Sequence, residues 1–453
     1  MTIAHDSMSS QIAALADGSR TASSLAEAAL GRAKAFSDLN AFVAVDEPIV
    51  MRQARAADQR RRLGRRLSPI DGIPIAVKDN YLTIDYPTTA CSNALPFEPS
   101  GEDATVVANL RRAGAVVLGK TNMHEWAYGA TNSTSSFGAT RNPHDRNRIT
   151  GGSSGGSGAA VAAGIVSAAL GSDTGGSVRI PSAACGIYGF KPSYGRASRH
   201  GVLPLSWSLD APGPMTASLE DISLILPYFF GQDARDPATD GAKPFQEARS
   251  SGRPRLIHLV GPGLERSNEV DGTLRAALDA SDASVRESTL DHMDSYFAAW
   301  EAILHCEASA YHVQRSNADM SAYSTVTQAH LVAGGMLSGL DLIKAQRIRS
   351  HLVETLTRGL GDWDALVLPT LPIVAPREDE EWQEFSGRRV TTQDSMTWFC
   401  WIGNLAGFPC ISIPMPREPG LMPVGMMLMG RPGEDEALLA VAEWIDKKLK
   451  RNV

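Results

Sequence analysis

Two glycine- and serine-rich segments contain the residues whose types and spacing could do chemistry. They are Gly151–Gly158 (GGSSGGSG) and Gly171–Pro181 (GSDTGGSVRIP). Serine among glycines suits acyl transfer, because the backbone can approach a carbonyl closely and point N–H groups at a developing oxyanion. A serine nucleophile needs a base, and Lys78 is the suitably embedded candidate upstream. Since burial lowers the pKa of a lysine so that it can accept a proton, a Ser–Lys acyl-transfer site is predicted.

Three other motifs fit their usual chemistry less well. Gly114–Thr121 matches the phosphate-loop pattern GxxxxGK[ST], but Ala115–Leu118 has the composition of an apolar strand where that motif needs a loop. His124–Glu125 lacks the second histidine of a HExxH zinc helix, so a structural or surface role is expected. The glycine cluster does not spell the GxGxxG dinucleotide fingerprint. We therefore expect no metal and no organic cofactor.

The segments around these motifs alternate between strand-like and helix-like patterns. The predicted strands are Gly72–Lys78, Ala115–Leu118, Asp364–Pro369 and Cys410–Pro414; the predicted helices are Ser9–Ala35, Glu47–Leu63, Ala104–Ala113 and Glu434–Lys450; and Ala159–Leu170 is predicted as a buried helix and strand. Such alternation favours an α/β fold whose sheet is covered by helices on both faces. Because no internal repeat and no charged linker divides the chain, one domain over residues 1–453 is expected.

The composition sets limits on the class of protein. The 453 residues are 43% hydrophobic and 21% charged, which is ordinary for a globular protein and excludes a collagen-like or wholly disordered chain. The net charge of −7 does not favour nucleic acid as a partner. Five cysteines without a CxxC pair predict neither a disulfide framework nor a zinc site. Met1–Arg20 lacks the pattern of a signal peptide, and Gly158–Leu170 is too short to span a bilayer, so a cytoplasmic protein without a membrane partner is expected.

The ordered set of motifs resembles the amidase signature family. The matches include GGSSGGSG, GSDTGGSVRIP and GFKPSYGR within Gly151–Arg196, and outside it Asp71–Asp79, Gly119–Glu125, Arg141–Pro143, Leu209–Pro214 and Gly407–Pro414. They extend over most of the chain. The resemblance implies the amidase signature fold, a large mixed β-sheet core covered by helices on both faces, with the signature core at about residues 70–215.

The same resemblance implies a Ser–cis-Ser–Lys triad. Ser177 matches the nucleophile, Ser153 matches the bridging serine that follows a cis peptide bond after Gly152, and Lys78 matches the base that acts through Ser153. The family's oxyanion hole falls on the backbone N–H groups of Thr174, Gly175, Gly176 and Ser177. Ser154, Asp173 and Arg179 match residues that support this arrangement, with local packing as the alternative role. A non-catalytic scaffold of this fold is disfavoured because Lys78, Ser153 and Ser177 are all present.

The main rival within the family is the glutamine-hydrolysing component, called the A subunit, of the amidotransferase that amidates mischarged tRNA. Its glutamine pocket has an acidic residue seven positions before the asparagine that corresponds to Asn404, and this sequence has Thr397 there. The arginine-containing stretch of that component is also not found, since Gly334–Ser338 occupies the region. The sequence therefore favours another amide as the substrate.

Aromatic residues near the expected site indicate what that amide is. We expect Tyr128, Trp207, Trp398 and Trp401 to line the substrate pocket, although core packing is an equal alternative for each. Aromatic walls suit apolar or aryl groups. An amidohydrolase of the aryl-acylamidase or urethanase type is therefore predicted, acting on a small-molecule amide, aryl carbamate or ester. The glutamine-hydrolysing component of a tRNA-dependent amidotransferase is the alternative, and a homodimer is among the options for assembly.

Overall fold

The computed structural model describes residues 6–247, 252–314 and 320–451. Its strands are β1 (Phe42–Val45), β2 (Pro74–Lys78), β3 (Val116–Thr121), β4 (Ala168–Asp173), β5 (Tyr188–Lys191), β6 (Ala211–Thr216), β7 (Arg255–Val260), β8 (Ser284–Thr289), β9 (Ala365–Pro369), β10 (Trp382–Phe385), β11 (Arg388–Thr391), β12 (Cys410–Pro414) and β13 (Gly425–Met429). Within the described residues, eleven of these strands form one sheet in the order β1-β3-β2-β4-β6-β5-β12-β13-β9-β7-β8. β10 and β11 pair separately as a hairpin.

The sheet mixes parallel and antiparallel pairs. Strand β2 lies parallel to both β3 and β4, whereas β4 pairs with β6 in the antiparallel sense. All five residues of β2 and all six of β3 and β4 are buried, which explains the apolar run with which each strand begins. The predicted large mixed sheet is confirmed.

Helices pack on both faces of this sheet. They are α1 (Met8–Asp17), α2 (Ala22–Ala35), α3 (Glu47–Arg62), α4 (Thr105–Arg112), α5 (Gly155–Ala162), α6 (Arg179–Cys185), α7 (Leu219–Ile225), α8 (Asn268–Ala280), α9 (Met293–Gln314), α10 (Thr325–Met336), α11 (Gly339–Glu354), α12 (Thr392–Thr397), α13 (Trp401–Ala406) and α14 (Asp435–Arg451). Two apolar cores result: one contains residues of α2, α3, α8 and α14, and the other contains residues of α9, α11 and α13. Among the helices described, none has both the length and the apolar character needed to cross a membrane.

The predicted single helix Ser9–Ala35 is in fact two helices. Helix α1 ends at Asp17 because Gly18 adopts a left-handed conformation with φ +78°. Helix α2 then begins after Thr21, whose side chain accepts a hydrogen bond from the backbone N–H of Ser24.

Most of the other predicted helices and strands lie within one to two residues of the observed elements. The exceptions are β3, which extends beyond Leu118 to Thr121, and the predicted segment Ala159–Leu170, for which α5 begins earlier, at Gly155, and β4 ends later, at Asp173.

The phosphate-loop match at Gly114–Thr121 is a buried strand, as its apolar composition predicts. Six of its eight residues form β3. The Lys120 ammonium is fully buried and lies 3.3 Å from the carboxylate of Asp79. It also donates to the Tyr81 carbonyl at 2.8 Å. This lysine is therefore a structural ion-pair partner in the core.

Small residues allow α5 to pack deep in the molecule. All eight residues of α5 are buried, from Gly155 to Ala162. A Cβ atom added at Gly156 would lie 2.5 Å from the backbone oxygens of Ala41 and Asn122, so only glycine fits there. This close approach places the serines that precede α5 against the ends of β2 and β4.

Candidate active site

Lys78 is the last residue of β2, and its side chain is completely buried. Its Nζ atom lies 2.7 Å from the Oγ of Ser153 and 2.8 Å from the Oγ of Ser172. Burial lowers the pKa of Lys78 to about 7, although the negative charges of Asp173 and Asp210 oppose this decrease. A substantial fraction of Lys78 is therefore neutral near pH 7 and able to accept a proton.

Ser153 and Ser154 of the first glycine-rich segment connect Lys78 to the second segment. The peptide bond between Gly152 and Ser153 is cis, as the family resemblance implies. The Ser153 carbonyl accepts a hydrogen bond from the backbone N–H of His124 at 3.0 Å. The backbone N–H of Ser154 donates to the carbonyl of Ser177 at 3.3 Å. These contacts bring Lys78, Ser153 and the turn that carries Ser177 together.

Ser177 lies in the turn between β4 and α6 and borders a cleft that opens to solvent. Its side chain is 7% exposed, so a substrate carbonyl entering the cleft can reach it. Within the described part of the chain, the Ser177 hydroxyl has no hydrogen-bond partner. A nucleophile in this state is free to orient toward both a substrate and the Ser153 hydroxyl.

A buried ion pair shapes this turn. The Nη2 of Arg179 lies 2.8 Å from the Oδ1 of Asp173, and both side chains are fully buried. Burial alone would raise the pKa of Asp173, but the charge and hydrogen bonds of Arg179 outweigh it and lower the pKa to about 2. The Asp173 carboxylate also accepts the backbone N–H groups of Gly176 and Val178, at 2.9 and 3.1 Å. Asp173 and Arg179 therefore hold the Ser177 turn in its conformation.

The buried amide of Asn404 extends this network. Its Oδ1 accepts a hydrogen bond from Arg179 at 2.7 Å, and its Nδ2 donates to the Asp173 carboxylate at 2.9 Å. Asn404 thereby links α13 to the Ser177 turn. The sequence motif around Asn404 was the signal that marked this residue, but its contact with Arg179 could not be known without the fold.

The expected oxyanion hole is only partly available. The N–H of Gly176 is not free, because it donates to Asp173. The N–H groups of Thr174, Gly175 and Ser177 make no hydrogen bond among the described residues, and these three residues border the cleft. The prediction for Gly176 thus conflicts with the structure, whereas the other three N–H groups stay candidates for binding a substrate oxyanion.

The cleft over Ser177 has a volume of about 560 Å³, including its open mouth. The residues around it are Ala127, Tyr128, Gly129, Ala130, Thr174, Gly175, Ser177, Leu205, Trp300, Glu301, Leu304, His305, His330, Gln393, Asp394 and Thr397. Of the four aromatic residues predicted to line the pocket, Tyr128 is the one found in this lining. The Tyr128 hydroxyl is hydrogen-bonded to Nδ1 of His305.

The three predicted tryptophans lie outside the cleft. Trp401 is 2% exposed and packs edge-on against Phe297, with 5.6 Å between ring centroids. Trp398 packs in the same manner against Phe385 at 5.5 Å. Trp207 is 44% exposed and borders a different cavity. Thr397 faces the cleft, and each step along a helix turns the next side chain by about 100°, so its neighbours point into the core.

The opposite wall of the cleft comes from residues that sequence reasoning missed. Trp300, Glu301, Leu304 and His305 lie on α9, and His330 lies on α10. Their spacing along α9 is i, i+1, i+4 and i+5, which places them on one helix face. This spacing was the available signal, but nothing in the local pattern indicates that the face borders Ser177.

A structural or a surface role was expected for His124, and its burial shows that the role is structural. Its side chain is 3% exposed, and its ring lies under Gly129, where an added Cβ would collide with the imidazole. Burial lowers the pKa of His124 to about 3, and the proximity of two further basic groups, His330 and Lys78, acts in the same direction. A neutral imidazole therefore supports the floor of the cleft beside Ser153.

Comparison with known proteins identifies the family. The Amidase family matches residues 24–439. The chain is 36% identical to the A subunit of the glutamyl-tRNA(Gln) amidotransferase of Symbiobacterium thermophilum, over 96% of this chain and 95% of that protein. It is 35% identical to the AtzE subunit of the 1-carboxybiuret hydrolase of Pseudomonas sp. strain ADP, over 94% and 95% of the two chains.

A solved structure shares the whole fold. It belongs to a protein complex described as revealing the evolutionary origins of an s-triazine catabolic enzyme, and it superposes with a TM-score of 0.92 at 32% identity, covering 98% of both chains. Together with the sequence relatives, this agreement confirms the predicted family resemblance. The chain belongs to the amidase family and is an amide-hydrolysing enzyme.

Proposed function

We propose that this chain hydrolyses a small polar amide through an acyl-enzyme formed on Ser177. The observation that carries this proposal is the 2.7 Å contact between Lys78 Nζ and Ser153 Oγ, fully buried behind the Ser177 turn. Neutral Lys78 takes the proton of Ser177 through the Ser153 hydroxyl while Ser177 Oγ attacks the amide carbon. The same proton then passes to the leaving nitrogen, and water cleaves the resulting ester.

The developing negative charge is stabilised by backbone donors. As the carbonyl oxygen becomes an oxyanion, the N–H groups of Thr174, Gly175 and Ser177 are the donors available to it. Thr174 is held in place because its Oγ1 donates to Asp210 at 2.6 Å. The indole Nε1 of Trp300 donates to the Thr174 carbonyl at 3.2 Å. Donors fixed in this way need little reorganisation during the reaction.

An aryl preference has little support in the cleft. Of the three tryptophans on which that expectation partly depended, Trp401 is buried in the core, Trp398 packs against the core on Phe385, and Trp207 borders another cavity. The lining does contain the aromatic rings of Tyr128 and Trp300, but it also contains the polar side chains of Glu301 and Asp394. The two sequence relatives described above also do not favour an aryl-amide hydrolase, since one belongs to an amidotransferase and the other to a 1-carboxybiuret hydrolase. We therefore place aryl amides and aryl carbamates last among the substrate classes.

Glutamine hydrolysis, as in a tRNA-dependent amidotransferase, is the second candidate function. The sequence relatives favour it, at 36% identity over nearly the full length of both chains. Thr397 occupies the position where the amidotransferase has its acid, but Asp394 lies one turn earlier on α12 and borders the same cleft. A carboxylate is thus present on this wall for a substrate ammonium group.

A substrate panel tests these proposals. Purified protein is assayed for ammonia or amine release from glutamine, short aliphatic amides, urea-type amides such as biuret derivatives, anilides and aryl carbamates. We expect turnover of the small polar amides, with anilides poorest. Turnover of glutamine alone would favour the amidotransferase function. Turnover of anilides well above all others would contradict the polar-amide proposal and leave the acyl-enzyme mechanism in place.

A further inference from the structure

Two carboxylates face the cleft without a partner. Glu301 on α9 and Asp394 on α12 are both half-buried, and both border the space that Ser177 borders. Within the described residues, neither carboxylate accepts a hydrogen bond or forms an ion pair. Half-buried acceptors without a protein donor are open to a ligand, so this pair is suited to a ligand that brings donors.

The two carboxylates border the same space, and the charge of one acts on the other. Burial and the negative charge of Asp394 together raise the pKa of Glu301 to about 7. The charge of Asp394 also acts on His330, where it partly offsets the lowering of the histidine pKa by burial. The Nδ1 atom of His330 is itself buried without a partner among the described residues. Three polar groups from three helices thus converge on one space.

The rest of the lining contributes no positive charge. Among the described residues around the cleft there is no lysine and no arginine, and burial lowers the pKa of His305 and of His330, which keeps both largely neutral. Trp300 borders the same space as Glu301. An aromatic ring beside carboxylates is a favourable surrounding for a cation. The net field in the cleft therefore favours a positively charged group and disfavours a carboxylate.

We propose that Glu301 and Asp394 bind a positively charged, N–H-donating group of the substrate, so that the enzyme selects amides that carry an ammonium group. This inference rests on the proposed function of Ser177, because the selected group must belong to the amide that Ser177 attacks. It differs from the glutamine pocket of the amidotransferase, in which the acid stands at the position of Thr397. Here the two acids lie on different helices, α9 and α12, and border one space.

The test compares three primary amides of equal length. In 4-aminobutanamide the end of the chain is an ammonium group, in pentanamide it is a methyl group, and in glutaramate it is a carboxylate. We expect kcat/KM to fall in that order. The kcat/KM for 4-aminobutanamide divided by that for pentanamide should decrease about tenfold in Glu301→Gln and in Asp394→Asn. This is the size of effect expected for a hydrogen bond to a charged group.

A matched control separates this role from a general effect of charge. Asp294 lies on α9 like Glu301 but is exposed at the start of the helix, and Asp294→Asn should leave the ratio unchanged. Retained turnover of pentanamide in the two cleft variants would show that they are folded. A ratio at or below one in the unaltered enzyme, or an unchanged ratio in both cleft variants, would overturn the inference.

A binding measurement distinguishes the failure of this inference from the failure of the proposed function. In Ser177→Ala, calorimetric titration with the same three amides should give the same order of affinity without turnover. If Ser177→Ala still hydrolyses amides, the proposed function fails, and the affinities still report on Glu301 and Asp394. If Ser177→Ala is inactive but binds the three amides equally, the charge selection alone fails.

Discussion

At the scale of single residues, Lys78 owes its chemistry to its surroundings. An exposed lysine is protonated at neutral pH, and it is burial at the end of β2 that lowers the pKa of Lys78 enough for it to accept a proton. The two serine hydroxyls around its Nζ atom, on Ser153 and Ser172, keep the amine in place. The ability of Lys78 to act as a base therefore comes from its buried position in the sheet and not from the residue type alone.

The pH dependence of activity tests this base. Because Lys78 must be neutral to act, we expect kcat/KM to rise with pH through about 7, the value to which burial lowers its pKa. Lys78→Ala should lower kcat/KM by roughly 10²- to 10⁴-fold, as for other general bases. Lys78→Arg should not restore activity, since a guanidinium does not deprotonate in proteins. A flat pH profile, or an active Lys78→Arg enzyme, would contradict this role.

Chemical labelling tests the nucleophile. Ser177→Ala should abolish turnover and leave the fold intact, because the side chain makes no hydrogen bond among the described residues. A sulfonyl fluoride that enters the cleft should modify Ser177, which mass spectrometry of the digested protein would locate. Ser153→Ala serves as the control, since it should slow the labelling and leave the site of modification unchanged. Modification of Ser154 or Ser153 in place of Ser177 would show that the roles are assigned wrongly.

At the scale of elements, the turn between β4 and α6 depends on a charge pair in the core. Asp173→Asn would leave the fully buried Arg179 without its counter-charge. Removing one partner of such a pair is expected to lower the free energy of unfolding by about 3–5 kcal/mol. Chemical denaturation measures this change, and activity should fall as well because the turn carries Ser177.

An exposed pair provides the control for this experiment. Glu384 and Arg389 lie 3.8 Å apart on the hairpin of β10 and β11, and both are largely exposed. Glu384→Gln should change the free energy of unfolding by less than about 1 kcal/mol, because water and salt screen such pairs. Equal effects of the two substitutions would mean that the buried pair does not stabilise the turn.

Trp401 on α13 tests whether the tryptophans act in the core or in the cleft. Since Trp401 is 2% exposed and packs against Phe297, Trp401→Ala should create a cavity and lower the free energy of unfolding by about 3–5 kcal/mol. Its kcat/KM should fall alike for aryl and aliphatic amides. Thermal denaturation and a two-substrate assay measure both effects. A decrease of kcat/KM confined to aryl substrates, without a change in Tm, would show that Trp401 lines the substrate pocket.

At the scale of the whole molecule, part of the fold and of the site can be predicted from the sequence and part cannot. Strands β2, β3 and β12 are rich in apolar residues because they are buried on both faces, and this local property predicts them. The motifs also locate Lys78, Ser153 and Ser177, which the fold brings together. The opposite wall is different: Glu301 and Asp394 lie on separate helices, and their meeting depends on the packing of α9 and α12, which no local pattern encodes.

The direction in which a side chain points from a short helix also cannot be predicted from the sequence. Thr397 and Trp398 are adjacent in sequence, yet the first borders the cleft and the second packs on Phe385. Similarly, the split of residues 9–35 into two helices depends on Gly18, whose left-handed conformation ends α1. Composition over a long window predicts a helix there, and a single residue decides where it stops.

The division of the cleft between two stretches of chain has an evolutionary consequence. Lys78, Ser153 and Ser177 all precede residue 180, whereas Glu301, His330 and Asp394 on the opposite wall come from residues 293–397. Mutations in the later stretch can therefore alter which amide is accepted while the reacting groups stay unchanged. Recombination of residues 293–397 between relatives offers one route by which a lineage could acquire new substrates without passing through an inactive ancestor.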